Sequence, residues 1–408
     1  MVAVMTETLD SRYSWIRLFL SLALATVGNV GMWSVIVLMP AIQSEFGGGR
    51  GEASLPYTLT MAGFALGNLV IGRAVDRHGV SRALAGAALT SGAGFALAAG
   101  SPTILILSGA QFVIGLGTAA FFGPLLADLS LWFRKRRGIA VAIAASGNYL
   151  AGAIWPVVLS GVLVEQGWRA VCMILAVIVV VVVVPGSQVL RRRVPAESLS
   201  MAAQSTTLTP YRVPLSPRTL MLLLGLAGIG CCVAMSMPQV HIVAFCVDLG
   251  YGPAVGAEML SVMLIGGVAS RLFSGWVMDR LGGVKTLLIG SVGQMIGLVL
   301  YLPFDGLTSL YLVSLVFGLS QGGIVPAYAI IVREYMDPRE AGGRVGFVMM
   351  ATILGMALGG WMTGWIHDMT GSYRLAFING IGWNLLNIAI VTGVLLSGRP
   401  GAPRRAAA

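Results

Sequence analysis

The chain has 408 residues, of which 57% are hydrophobic and only 10% are charged. A soluble globular chain carries about 25% charged residues, so this composition excludes a soluble protein, whose surface so few charges could not cover. The formal charge of +10 does not indicate a nucleic-acid partner, because the basic residues gather in short segments between apolar runs. The composition therefore predicts a polytopic protein of the lipid bilayer.

Twelve apolar runs are long enough to cross a membrane, which requires about 20 residues each. We therefore predict an all-α polytopic membrane protein with twelve transmembrane helices, called spans 1 to 12 below. The predicted spans are 15–41, 54–75, 82–100, 103–131, 138–164, 169–190, 219–247, 255–278, 284–303, 308–332, 343–366 and 374–397.

The longest polar stretch lies in the middle of the chain, at 191–218, and contains four prolines. Its composition is typical of a linker. We expect an N-terminal six-helix bundle at 1–190, a cytoplasmic linker at 191–218 and a C-terminal six-helix bundle at 219–408. Spans 1 to 6 are called the first half below, and spans 7 to 12 the second half.

Basic residues concentrate at one end of the predicted helices, here called the basic end, which includes Arg77, the segment 134–137 and Arg280. The other end, here called the acidic end, carries Glu45, Asp248 and Asp368 together with a few arginines. Positive residues favour the cytoplasmic side of a membrane. We therefore expect a multi-pass protein of a bacterial inner membrane, with both termini in the cytoplasm.

Two short patterns occur once in each half. "GRAVDRHG" at 72–79 and "GWVMDRLG" at 275–282 both fit G-x-x-x-D-R-x-G, and "GWR" at 167–169 is echoed by "SYR" at 372–374. Both pairs are separated by about 200 residues, which indicates a duplicated unit. Duplicated halves of six helices are typical of secondary transporters, whose substrate binds between the halves.

The G-x-x-x-D-R-x-G pattern resembles the loop signature of the major facilitator superfamily. The resemblance implies the fold of that superfamily and assigns the gating of its access states to Asp76, Arg77, Asp279 and Arg280. The alternative is that these charges only set the orientation of the chain in the membrane.

The segment "WFRKRRGIAVAIAASGNYLAG" at 132–152 resembles the fifth-span signature of the monocarboxylate transporter family. The residues that match are Phe133, Lys135, Arg136, Arg137, Ala140, Ala144 and Gly147. The first-span signature of that family is only partly kept, as "NVGMWS" at 29–34, without its acidic residue. With this departure, the resemblance implies a place in the bacterial branch of the family, near the oxalate/formate antiporters.

Arg271 lies deep within "LIGGVASRLFSGWVMDR" at 264–280, without an acidic residue one helical turn away on either side. A charge at mid-bilayer costs about 2.5–3.5 kcal/mol on insertion scales, so Arg271 must face protein or water. A guanidinium matches a carboxylate in bidentate geometry, and the resemblance implies that Arg271 binds the substrate carboxylate. Two alternatives are a structural arginine bonded to carbonyls of a broken helix, and a side chain that snorkels to the interface.

Five further residues are candidates for substrate contact. His241 follows Pro238 in span 7, where it can bind a substrate oxygen or be a packed core histidine. The superfamily resemblance implies that spans 1, 4, 7 and 10 line the cavity, which favours Asn29, Phe121 and Tyr328, and Tyr149 lies at mid-span in span 5. For the aromatic residues, core packing is the alternative.

The family resemblance leaves the coupling reaction open. Animal relatives carry a lysine in span 1 and an aspartate one turn before the span-8 arginine, where this chain has Gly267. The oxalate exchangers carry a lysine in span 11, and residues 346–366 contain none. Asp128 is the acidic residue nearest the interior of a span, and we interpret it as lying at the cytoplasmic mouth.

One buried cation suits one carboxylate, so we predict a monomeric, proton-coupled symporter of lactate or pyruvate that works by alternating access, without a cofactor or a metal. An exchanger of organic anions of the oxalate/formate type is the alternative. A sensor or a membrane enzyme is disfavoured, because the termini are short and no catalytic motif is found.

Overall fold

The computed structural model describes residues 9–133, 136–192, 211–212, 214–336, 338–397 and 399–400. Ten helical stretches in it are long and apolar enough to cross a membrane. One of them, residues 139–191, holds two spans, because Gly167 breaks the helix with a φ of 80°. The small-residue helix Val80–Ala99, 20 residues long, is span 3 and brings the number of spans in the described residues to twelve. The predicted all-α architecture with twelve spans is confirmed.

The first half begins with a helix that is divided at Asn29. A short helix, Arg50–Ala53, connects spans 1 and 2. The helices of the spans are Arg12–Gly28 and Val30–Phe46 (span 1), Leu55–His78 (span 2), Val80–Ala99 (span 3), Ile104–Thr118 and Gly123–Ser130 with the 3-10 turn Ala119–Phe121 between them (span 4), and Arg137–Gln188 with the turn Val189–Arg191 (spans 5 and 6).

The second half has the same order of helices. Two-residue strands, Tyr211–Arg212 and Arg399–Pro400, pair antiparallel beside it. The predicted linker at 191–218 falls mainly on residues 193–210, which lie outside the described residues. The helices are Pro217–Asp248 (span 7), Pro253–Leu281 (span 8), Gly283–Leu300 (span 9), Leu307–Gln321 and Ile324–Tyr335 (span 10), Pro338–Thr370 (span 11) and Tyr373–Ser397 (span 12).

Matched helix crossings relate the two halves. In the first half, Gly63 and Gly115 allow spans 2 and 4 to touch, since a Cβ at either position would lie 2.0 Å from a carbonyl oxygen of the other span. In the second half, Gly318 brings span 10 against Met263 of span 8 in the same way. The pairs Gly63 and Gly266, and Gly115 and Gly318, are each 203 residues apart, as are Gly72 and Gly275.

Spans 4 and 10 are both interrupted near mid-membrane, at positions that the same separation relates. Span 4 leaves the α-helix at 119–122, and span 10 does so at Gly322 and Gly323. Backbone groups released by such a break need new partners when they are far from water. The breaks therefore let backbone groups, such as those of Gly322, bond to side chains of other spans near the middle of the bundle, where a transporter binds its cargo.

Candidate functional site

Arg271 lies beside the break in span 10 and is only 6% exposed. Its Nε donates a hydrogen bond to the carbonyl oxygen of Gly322, at 3.3 Å. Its Nη1 donates to the carbonyl oxygen of Ala145 in span 5, at 2.6 Å. Because Gly322 belongs to the second half and Ala145 to the first, the guanidinium bridges the two halves.

The local backbone explains why the arginine can reach this carbonyl. A Cβ at Gly322 would lie 2.4 Å from the Arg271 backbone nitrogen, so only glycine lets span 10 approach span 8 this closely. The amide of Gly322 donates to the Ser270 hydroxyl at 3.2 Å. Span 8 thus supplies partners for both backbone groups of Gly322.

Tyr149 of span 5 packs its ring against the same guanidinium. The Arg271 Cζ atom lies 4.1 Å from the centre of the ring, a distance at which an aromatic face attracts a cation. A Cβ at Gly267 would lie 3.1 Å from two atoms of this ring. The position where animal relatives have an aspartate is therefore occupied by a glycine that makes room for Tyr149.

The charge of Arg271 is not balanced by a carboxylate among the described residues, whose ion pairs all lie elsewhere. Two of its five N–H donors bind carbonyl oxygens, which solvate the charge but do not neutralise it. This arrangement is the one expected of a structural arginine beside a broken helix. The guanidinium is also a cation that can bind an anionic group.

Asn29 and Phe121 lie together in the first half. The Asn29 amide donates to the carbonyl oxygens of Ala25 at 2.8 Å and Phe121 at 3.2 Å, so it connects the break in span 1 to the break in span 4. Its Oδ1 accepts a hydrogen bond from Asn148, at 3.1 Å. Asn148 precedes Tyr149, and this network therefore positions the segment of span 5 that contacts Arg271.

Both ring nitrogens of His241 have a hydrogen-bond partner in the second half. Its Nε2 donates to the Gly360 carbonyl at 2.7 Å, and its Nδ1 lies 3.3 Å from the Tyr373 hydroxyl. His241 is 7 residues from the acidic end of span 7 at Asp248, whereas Arg271 is 18 residues from the same end of span 8 at Pro253. At 1.5 Å per residue, their depths differ by about 16 Å. The structure does not bring these two candidates together.

Tyr328 forms its hydrogen bond inside the second half rather than to Arg271. Its hydroxyl donates to Asn387 Oδ1 at 2.8 Å, and the Asn387 amide donates to Ser291 at 2.7 Å. These contacts connect spans 9, 10 and 12 within the second half. Of the six predicted substrate residues, Arg271 and Tyr149 touch each other, Asn29 and Phe121 support them, and His241 and Tyr328 form their hydrogen bonds with other residues of the second half.

The predicted gating residues lie at the basic end. Arg280 stacks on Trp276, with its Cζ atom 3.8 Å from the ring centre, and Arg77 is exposed. The Asp76 side chain lies outside the described residues, and Asp279 forms no ion pair with the side chains that are described. The sequence pattern alone supports their gating role.

Sequence reasoning missed Glu334, which accepts a hydrogen bond at 3.1 Å from the Gly283 amide, next to the second copy of the repeated loop. Burial raises the pKa of Glu334, and this hydrogen bond opposes the shift. It also missed Arg50, Asp248, His367 and Asp368, whose side chains meet at the acidic end. Each of these residues is a polar side chain near a helix end, which is the only signal that the sequence gives. No sequence pattern predicts that the four side chains meet.

The chain matches the model of the Major Facilitator Superfamily over residues 20–307 and 247–408. The chain belongs to this superfamily. The resemblance read from the repeated loop is therefore confirmed, and the broken spans belong to a membrane transporter of this superfamily.

Relatives of this superfamily member include named monocarboxylate transporters. It is 28% identical to "Monocarboxylate transporter 13" of Bos taurus over 269 residues, which is 65% of this chain and 61% of that protein. It is 27% identical to "Monocarboxylate transporter 11" of Homo sapiens over 304 residues, 70% of this chain and 62% of that protein. The matches span about three fifths of the length of these relatives. The family resemblance is confirmed, and the relatives are transporters rather than enzymes.

A solved structure shares the fold. The chain superposes on a bacterial homologue of the human lysosomal transporter Spinster, in an inward-facing and occupied conformation, with a TM-score of 0.65 and 14% identity. The superposition covers 95% of this chain and 96% of that one. At this identity the likeness confirms the transporter fold alone.

Proposed function

We propose that this transporter carries small monocarboxylates of the lactate or pyruvate type, and that Arg271 binds the carboxylate. The observation that supports this most directly is a guanidinium, buried between the halves, with no carboxylate partner among the described residues. The named monocarboxylate transporters among its relatives agree with the choice of cargo. Tyr149 would cover one face of the guanidinium and leave its edge for the anion.

In this proposal, cargo binding is linked to movement through the Ala145 carbonyl. A carboxylate that binds Arg271 in bidentate geometry needs two of its N–H groups. We propose that one of these is the Nη1 N–H that donates to Ala145 at 2.6 Å, so that the carboxylate displaces the bond that joins span 8 to span 5 of the other half. Binding would thereby release one contact that holds the halves together, as alternating access requires.

We further propose that a proton accompanies the carboxylate. An anion that crosses the membrane alone works against the potential by about 2.3 kcal/mol per 100 mV, whereas an anion with a proton crosses without net charge. Because one chain contains both halves and the interface between them, we also propose that the monomer suffices for transport.

One observation favours exchange of anions as the second candidate. Gly267 packs against the ring of Tyr149, which occupies the space that an aspartate would need. Without that acidic group, a second organic anion can provide the counter-movement of charge. Exchange would require anion inside the vesicle and would not respond to a proton uncoupler.

The decisive experiment is uptake of labelled lactate and pyruvate into proteoliposomes, with and without an inward proton gradient. We expect gradient-driven uptake in the wild type, and Arg271→Gln should lower it about 100-fold, because a cargo carboxylate would lose its buried cation. Arg374→Gln is the matched control, since Arg374 is an exposed arginine at the acidic end. Full activity in Arg271→Gln, or no uptake under any gradient, would refute the proposal.

A further inference from the structure

Four residues from three separate loops and helix ends meet at the acidic end. They are Arg50 in the short helix between spans 1 and 2, Asp248 at the end of span 7, and His367 and Asp368 in the last turns of span 11. Together they are called the acidic-end cluster below. We propose that the acidic-end cluster is the gate for this side of the transporter, and that acidification opens it.

The cluster holds the two halves together by an ion pair. Arg50 Nη2 lies 2.5 Å from Asp248 Oδ1, and Arg50 Nη1 donates to the Gln43 side chain at 2.5 Å. Arg50 belongs to the first half and Asp248 to the second. Within the part of the chain that the structure describes, every other ion pair joins residues of one half.

Asp368 adds a second connection, this time to the backbone. Its Oδ1 accepts a hydrogen bond from the Arg50 amide at 2.6 Å, and its Oδ2 accepts one from the Gly51 amide at 2.7 Å. The first amides of a helix have no partner within that helix, and bonds from such donors to a carboxylate are among the stronger hydrogen bonds. One carboxylate of span 11 thus fastens the loop that precedes span 2.

Glycines allow the backbones to touch at this place. A Cβ at Gly364 would lie 2.5 Å from the Arg50 carbonyl oxygen, and a Cβ at Gly360 would lie 2.8 Å from the ring of Tyr57. Further along span 2, the Thr58 hydroxyl donates to the Ala357 carbonyl at 3.4 Å. Spans 2 and 11 are therefore packed together at the acidic end, and the cluster lies at the end of this contact.

His367 makes the cluster sensitive to protons. Its Nε2 lies 3.3 Å from Asp248 Oδ2 and its Nδ1 lies 4.0 Å from Asp368 Oδ1. With one proton, on Nε2, the ring donates towards Asp248, and Nδ1 is buried without a hydrogen-bond partner among the described residues. The second proton must add to Nδ1, on the side of Asp368.

Protonation weakens the contact between the halves for two reasons that act in the same direction. A charged His367 attracts Asp248, which pairs with the Arg50 guanidinium, and Asp368, which accepts from the Arg50 amide. It also repels the Arg50 guanidinium. Protonation of either aspartate removes the acceptor charge itself. Among the described residues, the other titratable groups that face His367 are Tyr373, whose ring lies 4.4 Å from the His367 ring, and His241, which binds the Tyr373 hydroxyl.

A distance measurement across the acidic end tests the gate without any cargo. Ser44→Cys and Ala254→Cys place one spin label on each half at exposed positions, and the four native cysteines are buried. Pulsed electron resonance on the protein in lipid nanodiscs gives the ratio of long to short distances. We expect the short distance to dominate at about pH 8 and the ratio to rise severalfold at about pH 5.

Variants separate the closing of the gate by the acidic-end cluster from its response to pH. Asp368→Asn should raise the ratio of long to short distances about tenfold at pH 8, and Arg50→Gln should do the same if Asp368→Asn does not fold. His367→Gln should keep the short distance dominant at both pH values, because the ring that takes up the proton is gone. Glu45→Gln is the matched control, since Glu45 pairs with Arg169 of its own half at the same end.

Wild-type distance distributions in both Asp368→Asn and Arg50→Gln would overturn the gate. An undiminished pH response in His367→Gln would overturn the role of His367. Because no substrate is present, these outcomes do not depend on whether the proposed cargo is correct.

Discussion

Arg271 is held by backbone groups, so the residue types of its hydrogen-bond partners cannot be recognised in the sequence. Its hydrogen bonds go to two backbone carbonyls, at Ala145 and Gly322, and any residue can supply a carbonyl. Its side-chain neighbour is Tyr149, whose ring fits because residue 267 is glycine. The unbalanced charge is evident from the sequence, whereas the atoms that hold it depend on how spans 5, 8 and 10 meet.

We predict that Tyr149→Leu raises the KM for the transported acid about fivefold, because the guanidinium loses the aromatic face that orients it. Tyr149→Phe should stay near the wild-type value, since it keeps the ring. Initial rates of uptake against cargo concentration measure the effect. Equal KM values for the two variants would contradict a cation–π contribution.

Within the helices, the decisive features are glycine crossings and helix breaks. Span 4 crosses span 2 at Gly115, and span 10 crosses span 8 at Gly318, each with a carbonyl 2.0 Å from the position of a Cβ. These contacts let the two broken spans enter the centre of the bundle. The repeated signature predicted that the halves are related, and the crossings show the relation in the packing of the helices.

We predict that Gly318→Ala lowers the thermal midpoint of the purified protein, because the added methyl group meets the Met263 carbonyl and overpacking costs about 1–3 kcal/mol. Gly115→Ala should behave alike, since it meets the Thr60 carbonyl in the equivalent crossing. Gly161→Ala is the control: nothing lies within 4 Å of its Cβ position, and alanine favours a helix. A Gly318→Ala midpoint equal to that of the control would refute the crossing.

For the whole molecule, polar contacts at two places join the halves within the described residues. At mid-membrane, Arg271 binds the Ala145 carbonyl, and at the acidic end Arg50 and Asp368 fasten spans 2, 7 and 11. A transporter that alternates must break such contacts in turn. The proposed cargo site would release the first, and the proposed proton-sensitive gate the second.

The predicted topology places the acidic end outside the cell. In intact cells, a membrane-impermeant maleimide should label Ser44→Cys at the acidic end but not His78→Cys at the basic end, and both should react once the membrane is permeabilised. Both positions are exposed and the native cysteines are buried, so the background should be low. The reverse labelling pattern would contradict cytoplasmic termini.

The sequence by itself determined the class of this protein, because hydropathy, charge placement and a loop repeated 203 residues apart are local properties of the chain. It also singled out Arg271, since a charge in an apolar run is costly wherever the helix lies. Only the tertiary structure decided which candidates meet. His241 and Tyr328 form their hydrogen bonds inside the second half, whereas the Asp368 carboxylate accepts a hydrogen bond from the Arg50 amide, 318 residues away. Such contacts depend on the packing of distant spans, which no local pattern records.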